Sequence, residues 1–186
     1  EIGLEFCTNS KVRKLTFTGS TQVGRILMRQ CSDQIMKLSL ELGGNAPFIV
    51  FDDANLDDAV DGAIISKFRN NGQTCVCANR IYVQSGVYDA FAEKLIKRVE
   101  SMTVGNGMNP EVINGPLIDM AAVEKVEEHI ADAVAKGAIV KTGGARHKLG
   151  GTFFEPTVVT GANSEMLMTE EETFGPLAPL FKFESE

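Results

Sequence analysis

Residues 47–75 read PFIVFDDANLDDAVDGAIISKFRNNGQTC, and this stretch contains the pattern that decides the fold. The apolar run 47–51 is typical of a buried strand. Asp52 and Asp53 suit the positive N-terminus of a helix, so we expect the helix to begin there. Gly72 is expected to end it. Apolar residues recur every fourth position between these limits and predict one buried stripe: Leu56, Val60, Ile64 and Phe68.

The same change of periodicity repeats along the chain. Alternating or apolar runs predict strands at 14–17, 35–42, 81–83, 138–141 and 180–183. Helical spacing predicts further helices after residue 21, at 87–99 and at 123–134. This alternation is typical of an α/β fold with an open, mainly parallel twisted sheet flanked by helices. We expect a domain border at Gly43-Gly44, which gives domains 1–44 and 45–186.

Composition and charge exclude several classes of partner. The 186 residues are 44% hydrophobic and 23% charged, as in ordinary globular proteins. A net charge of -7 without a basic cluster argues against nucleic acid. No apolar run approaches the roughly 20 residues that span a bilayer, so no membrane segment is expected.

The cysteines and histidines predict neither a disulfide framework nor a metal site. Four cysteines in 186 residues are too sparse for a disulfide-rich secreted domain, and they favour a reducing, cytoplasmic compartment. Cys75 and Cys77 are separated by one residue, and His129 and His147 lie far from them without ligand spacing.

Cys75 and Glu41 each lie at a turn where a regular element stops. Cys75 follows the turn 72–74, and Glu41 ends a strand whose leucines share the opposite face. A thiol attacks a carbonyl carbon when its pKa is lowered or a base assists it, and backbone N–H groups of a turn stabilise the resulting oxyanion. The pair points to covalent catalysis on an aldehyde or acyl group. An inert buried cysteine and a solvated carboxylate remain the alternatives.

Three further segments could serve a cofactor or a substrate. Small residues in Thr18–Gly24 leave N–H groups that could hold a phosphate or simply form a capped turn, and Gly-x-Gly-x-x-Gly is absent. Arg69 could bind a carboxylate or only stabilise the C-terminus of its helix. Glu170–Glu172 with Phe174 could hold ribose hydroxyls beside an aromatic wall, or form a solvated face.

Cys77 is a possible redox partner of Cys75. A disulfide across one intervening residue is strained and easily reduced, so oxidation would inactivate the nucleophile reversibly. Cys77 as an inert buried thiol is the alternative.

Segments in unbroken order across nearly the whole chain resemble the aldehyde dehydrogenase superfamily. They are FTGSTQVG (17–24), LELGGNAP (40–47), FRNNGQTCVCANR (68–80), GPL (115–117), GGTFFEPTV (150–158) and EETFGPL (171–177). The segment around Cys75 is most similar to the succinate-semialdehyde dehydrogenases, the enzymes of 4-aminobutyrate breakdown.

The resemblance implies a role for each matching position. Cys75 would form a thiohemiacetal, hydride would pass to NAD or NADP, and Glu41 would activate the water that hydrolyses the thioester. The backbone N–H of Cys75 would form half of the oxyanion hole. The remaining roles are binding roles: Gly19 and Ser20 near the pyrophosphate, Thr18 and Leu42 near the nicotinamide, Glu172 and Phe174 at its ribose, and Arg69 on the substrate carboxylate.

The resemblance also implies missing parts. The asparagine that completes the oxyanion hole and most of the adenosine pocket would precede residue 1, and a strand used to form a dimer or tetramer would follow residue 186. We therefore expect a fragment of a homo-oligomeric enzyme, inactive when isolated. The alternatives are a dehydrogenase that passes its acyl group to coenzyme A and an inactive structural fragment.

Overall fold

The computed structural model describes residues 1–185 of the chain, which form two compact units. The first unit comprises residues 1–44, and the second begins at Asn45. The change of unit follows the glycine pair Gly43-Gly44, where strand alternation ends in the sequence.

The first unit contains a two-stranded parallel sheet and two helices. Its elements are α1 (Ile2–Thr8), β1 (Lys14–Thr18), α2 (Thr21–Cys31), a 3-10 turn (Ser32–Gln34) and β2 (Lys37–Glu41). Cys7, Leu27 and Cys31 form its buried centre. The strand predicted from residue 35 begins at Lys37, because Ile35 has a left-handed backbone with φ of 49° after the 3-10 turn.

The second unit is built on a five-stranded sheet in the order β3-β4-β7-β6-β5. Strands β3, β4, β7 and β6 run parallel, and only β5 pairs antiparallel, so the predicted mainly parallel sheet is confirmed. Its strands are β3 (Ala46–Val50), β4 (Ala78–Gln84), β5 (Ile139–Thr142), β6 (Thr157–Ala162) and β7 (Leu177–Phe183). Its helices are α3 (Leu56–Phe68), α4 (Tyr88–Glu100), α5 (Met120–Ala135) and α6 (Leu167–Glu170).

Helices cover both faces of this sheet. Alternate side chains of β7 enter different hydrophobic clusters, since successive residues of a strand point to opposite faces. Leu180 packs with Phe91 and Leu95 of α4 on one face. Leu177 packs with Val123 of α5 on the other face. The flanking helices expected from the sequence are therefore present.

The predicted limits of helix α3 were wrong at both ends. The helix begins at Leu56, not at Asp52, because the side chain of Asn55 accepts a hydrogen bond from the Asp57 N–H and caps the helix. It ends at Phe68, because a 3-10 turn follows at Arg69–Gly72. The stripe of apolar residues predicted on this helix still packs toward the core.

Within residues 1–185, no helix combines the length and the apolar character needed to cross a membrane. The same range contains no cluster of three or more His, Cys, Asp or Glu side chains suited to a metal ion.

The backbones at Gly72 and Gly175 approach so closely that only glycine fits at Gly72. A Cβ built there would lie 2.0 Å from the Gly175 carbonyl oxygen, and Gly72 also has φ of +75°. We expect Gly72→Ala to lower the free energy of unfolding by about 3 kcal/mol, because backbone strain and a clash with backbone add together. Urea unfolding of the purified protein measures this.

Gly137→Ala is the matched control for that substitution. Gly137 also has a positive φ, of +97°, but a Cβ there would meet nothing within 4 Å. We expect a loss of about 1 kcal/mol from the backbone conformation alone. Equal losses in the two variants would contradict the role assigned to the Gly175 contact.

Candidate active site

The segment that carries Cys75 is shaped by a run of left-handed residues. After helix α3 the backbone of Asn70, Asn71 and Gly72 has φ of 50°, 57° and 75°. Asparagine tolerates this conformation better than most residues, and Asn70 also donates a side-chain hydrogen bond of 2.9 Å to the Gln73 carbonyl. The chain therefore turns sharply between α3 and β4, and Cys75 lies on the exposed part of this turn. We call residues 69–77 the thiol loop.

Two amide side chains fasten the thiol loop to the neighbouring segment 114–118. Asn71 is buried, donates to the Gly115 carbonyl at 2.9 Å and accepts from the Asn114 side chain at 2.8 Å. The Gln73 side chain accepts from the Ile118 N–H at 2.8 Å and donates to the Pro116 carbonyl at 3.2 Å. The hydrogen bonds of these two side chains hold the backbone on both sides of Gly72. The sequence predicted no role for either amide.

The two cysteines of the loop differ in access to solvent. Cys75 is exposed, whereas Cys77 is buried with 2% of its surface exposed, and both are free thiols. The Cys77 N–H donates to the Thr74 carbonyl at 3.0 Å, which closes the turn before β4. The sulfur of Cys77 lies 4.0 Å from the Arg69 carbonyl oxygen. Only the Cys75 thiol is open to a small molecule from solvent.

Arg69 is an exposed residue whose backbone carbonyl is hydrogen-bonded within the thiol loop. Its carbonyl oxygen accepts a hydrogen bond of 3.4 Å from the Thr74 hydroxyl, and the residue is exposed at the C-terminal end of α3. Among the described residues of the second unit, 45–185, no carboxylate forms an ion pair with it. The guanidinium is therefore available to a negatively charged ligand.

Phe174 and the thiol loop line one cavity. Its volume is about 470 Å³, and Asn70 and Gln73 of the loop line it together with Phe174 and residues 116–118. The segment that carries Phe174 runs between α6 and β7 and contacts the loop where Gly175 meets Gly72. The structure thus brings together the Phe174 and Cys75 segments, which the sequence alone could not do.

The three acids that precede Phe174 have different surroundings. Glu170 is exposed, and Glu171 forms an ion pair of 2.6 Å with Lys125, whose hydrogen bond lowers the pKa of Glu171 below its usual range. Glu172 is half-buried. Of the three acids, Glu172 lies on the part of the segment nearest Phe174 and the thiol loop.

Two buried titratable side chains lie behind this segment. The ammonium of Lys67 is fully buried, and burial lowers the pKa of Lys67 to about 8. His129 is also fully buried, and its Nδ1 lies 2.7 Å from the Thr173 hydroxyl. Burial lowers the pKa of His129. The sequence contained one signal for Lys67, which lies on the same helix face as Val60 and Ala63.

The candidate residues of the first unit gather at the carboxyl ends of its two strands. Thr18 and Glu41 are partners in the parallel pair β1–β2, and the Gly19 N–H donates to the Glu41 carbonyl at 3.0 Å. The Glu41 side chain is exposed. Leu42 packs on α2 at Gly24, where a Cβ would lie 2.7 Å from the leucine side chain.

The start of helix α2 has the donor set that a phosphate group requires. Ser20 caps the helix through a 3.3 Å hydrogen bond from the Val23 N–H to its hydroxyl. The N–H groups of Thr21 and Gln22 precede the first intrahelical bonds, both residues are exposed, and the first turn contains no acid. Residues 19–22 therefore fit an anionic pyrophosphate such as that of NAD or NADP.

Comparison with known proteins assigns the chain to a family. The sequence matches the aldehyde dehydrogenase family over residues 1–186. It is 64% identical over 186 residues to the glutarate-semialdehyde dehydrogenase of Pseudomonas aeruginosa, covering 100% of this chain and 38% of that protein. It is 62% identical over 185 residues to an NADP(+) succinate-semialdehyde dehydrogenase of Escherichia coli, again covering 100% of this chain and 38% of that enzyme.

Solved structures agree with the sequence matches. The crystal structure of succinate-semialdehyde dehydrogenase from Burkholderia pseudomallei superposes with a TM-score of 0.97 at 64% identity, covering 99% of this chain and 38% of that one. The chain thus spans 38% of the length of these relatives. The resemblance predicted from the motifs is confirmed, and the chain belongs to the aldehyde dehydrogenase family.

Proposed function

We propose that this chain is the thiol-bearing part of an NAD(P)-dependent aldehyde dehydrogenase that oxidises succinate semialdehyde to the carboxylate. The observation that carries the proposal is the exposed Cys75 on a loop that the amides of buried Asn71 and half-buried Gln73 fasten, and that lines a cavity together with Phe174. The names of the relatives support a semialdehyde substrate. The chain would act within a longer polypeptide, because it spans 38% of those relatives.

The chain's own residues supply the covalent steps. The Cys75 thiolate attacks the aldehyde carbon, and its backbone N–H donates to the oxyanion of the resulting thiohemiacetal. The hydride acceptor for that carbon would be supplied by a nicotinamide cofactor held by Thr18, Gly19, Ser20, Leu42 and Glu172. The thioester then remains on Cys75, and Glu41 deprotonates the water that releases the carboxylate. If the products contained a coenzyme A thioester instead of the carboxylate, the last step would be acyl transfer to coenzyme A and not hydrolysis.

The binding roles follow the two units. In residues 1–44, the end of a cofactor-binding domain, Gly19 and Ser20 would hold the pyrophosphate and Thr18 and Leu42 would contact the nicotinamide. In residues 45–186, the catalytic domain, Glu172 would bind the ribose hydroxyls beside Phe174. The complete enzyme would be a cytoplasmic homo-oligomer, a dimer or tetramer, in 4-aminobutyrate degradation.

The assignment of the nucleophile has a direct test in the full-length protein. We expect Cys75→Ser to lower kcat by about 1000-fold or more, because a hydroxyl is a much weaker nucleophile than a thiolate at neutral pH. Production of NADPH with succinate semialdehyde measures it. Cys31→Ser, in the first unit, is the control, because it removes a thiol but keeps the proposed nucleophile. Turnover that survives in Cys75→Ser would refute the mechanism.

Arg69 is assigned to the substrate carboxylate. Its guanidinium is exposed and has no ion pair within residues 45–185, so a carboxylate could bind it bidentately. We expect Arg69→Leu to lower kcat/KM for succinate semialdehyde by about 10- to 100-fold and to leave an uncharged aldehyde of similar length almost unaffected. Steady-state kinetics with both aldehydes measure the difference.

Arg98→Leu is the control for Arg69→Leu, because Arg98 is a surface arginine paired with Asp61 at 2.8 Å. It should change neither kcat/KM. A loss of similar size with both aldehydes in Arg69→Leu would show that Arg69 does not recognise the carboxylate.

Cys77 is proposed as the redox partner of Cys75. Hydrogen peroxide would take two electrons from the two thiols, forming one disulfide and two water molecules and inactivating the nucleophile. We expect peroxide-treated enzyme to regain activity with dithiothreitol, and Cys77→Ala to lose most of this recovery. Recovery that is equally complete in Cys77→Ala would exclude the disulfide.

A further inference from the structure

In the second unit, a lysine ammonium is buried between two segments of the candidate site. Lys67 lies in the last turn of α3 with no exposed surface. Its Nζ donates to the Asn79 side-chain oxygen at 2.7 Å and to the Thr173 carbonyl oxygen at 3.4 Å. These two acceptors belong to parts of the chain that are distant in sequence, so the ammonium bridges them.

Both acceptors lie next to residues with assigned roles. Asn79 is on β4, which directly continues the thiol loop beyond Cys77. Thr173 stands between Glu172 and Phe174, the two residues proposed to hold the nicotinamide ribose. A shift of the Thr173 peptide would therefore move both ribose-binding side chains relative to Cys75.

The Thr173 position is held from two helices. Lys67 of α3 donates to its carbonyl oxygen, and His129 of α5 hydrogen bonds to its hydroxyl at 2.7 Å. His129 Nε2 lies 3.5 Å from the Glu171 carboxylate, whose main partner is Lys125. The segment lies between α6 and β7, outside any helix or strand, so side-chain hydrogen bonds rather than a backbone ladder hold it in place.

Packing alone does not explain a lysine at this place. Burying an ammonium is unfavourable, and a methionine would fill a similar volume without that penalty. Lys67 follows Val60 and Ala63 on the buried face of α3, where apolar side chains serve packing well. Methionine could not donate the two hydrogen bonds that Lys67 donates to Asn79 and Thr173.

We propose that Lys67 is a positioning residue that fixes the Glu172–Phe174 peptide relative to the thiol loop and so sets the place of the nicotinamide ribose. The proposal rests on the proposed function, in which Glu172 and Phe174 bind that ribose. Lys67 itself touches neither substrate nor reacting atoms. Its loss should weaken cofactor binding and slow hydride transfer, while binding of the aldehyde at Arg69 is unaffected.

The charge on Lys67 depends on its surroundings. Burial lowers the pKa of Lys67 to about 8, and the nearby Cys77 and Glu172 oppose this by favouring the ammonium. His129, across Thr173, has its own pKa lowered by burial, so it is neutral at pH 8. As the pH rises through about 8, the ammonium loses its proton and its hold on the two oxygens weakens.

The test uses the full-length enzyme with NADP+ and succinate semialdehyde. We expect Lys67→Met to raise KM for NADP+ by about tenfold and to lower kcat, with KM for the aldehyde changed less than about twofold. Titration of the Cys75 thiol counts the active sites, so that unfolded enzyme does not enter kcat. Lys97→Met is the control, because Lys97 is an exposed lysine paired with Glu93, and it should change neither KM.

The dependence of KM for NADP+ on pH distinguishes a positioning lysine from a purely structural one. We expect KM for NADP+ in the unsubstituted enzyme to rise between pH 7 and pH 9.5, and in Lys67→Met to stay flat over that range. The unsubstituted enzyme tests this even if the variant does not fold. A flat profile in the unsubstituted enzyme, or a parallel rise in Lys67→Met, would overturn the proposal.

Failure of the positioning role is distinguishable from failure of the proposed function. Absence of aldehyde-dependent formation of both NADH and NADPH by the unsubstituted enzyme would overturn the proposed function. Normal turnover by that enzyme, combined with an unchanged KM for NADP+ in Lys67→Met, would overturn only the role of Lys67.

Discussion

The close approach of two backbones, at Gly72 and Gly175, is the constraint on which the candidate site depends. A Cβ at Gly72 would lie 2.0 Å from the Gly175 carbonyl oxygen, so the two segments meet without any side chain between them. Gly175 is also confined, since a Cβ there would lie 2.5 Å from the Val126 side chain of α5. This contact brings the thiol loop, which carries the exposed Cys75, beside Phe174, and Asn70 and Gln73 of the loop line one cavity with Phe174.

The polar groups around that contact divide into two sets. Amides fasten the thiol loop from one side, through Asn71 and Gln73 to segment 114–118. Buried titratable groups hold the other segment, through Lys67 and His129 to Thr173. Irregular backbone has few hydrogen bonds of its own, so these side chains take the place of a sheet or helix. A catalytic thiol needs such support, because small displacements of a reacting group cost much of its rate.

Sequence periodicity predicted elements better than their limits. The stripe on α3 was predicted because it repeats every fourth residue. The helix was expected to begin at Asp52 and Asp53, but it begins at Leu56, because the Asn55 side chain supplies the cap. Strand β6 was not predicted, because its buried residues form no alternation and Gly161 interrupts them. Among the acids 170–172, local spacing could not separate Glu171, which pairs with Lys125, from Glu172, and only the resemblance of EETFGPL to the family motif selected Glu172.

The sequence by itself determined the α/β class, the family and the identity of the candidate residues, because these depend on local periodicity and on motifs such as FRNNGQTC. Only the tertiary structure decided that Asn71 is buried in a left-handed conformation, that Cys75 is exposed while Cys77 is not, and that Lys67 lies inside the protein. The physical reason is separation along the chain. Lys67 and Thr173 are 106 residues apart, and a contact at that distance exists only once the sheet has brought its strands together.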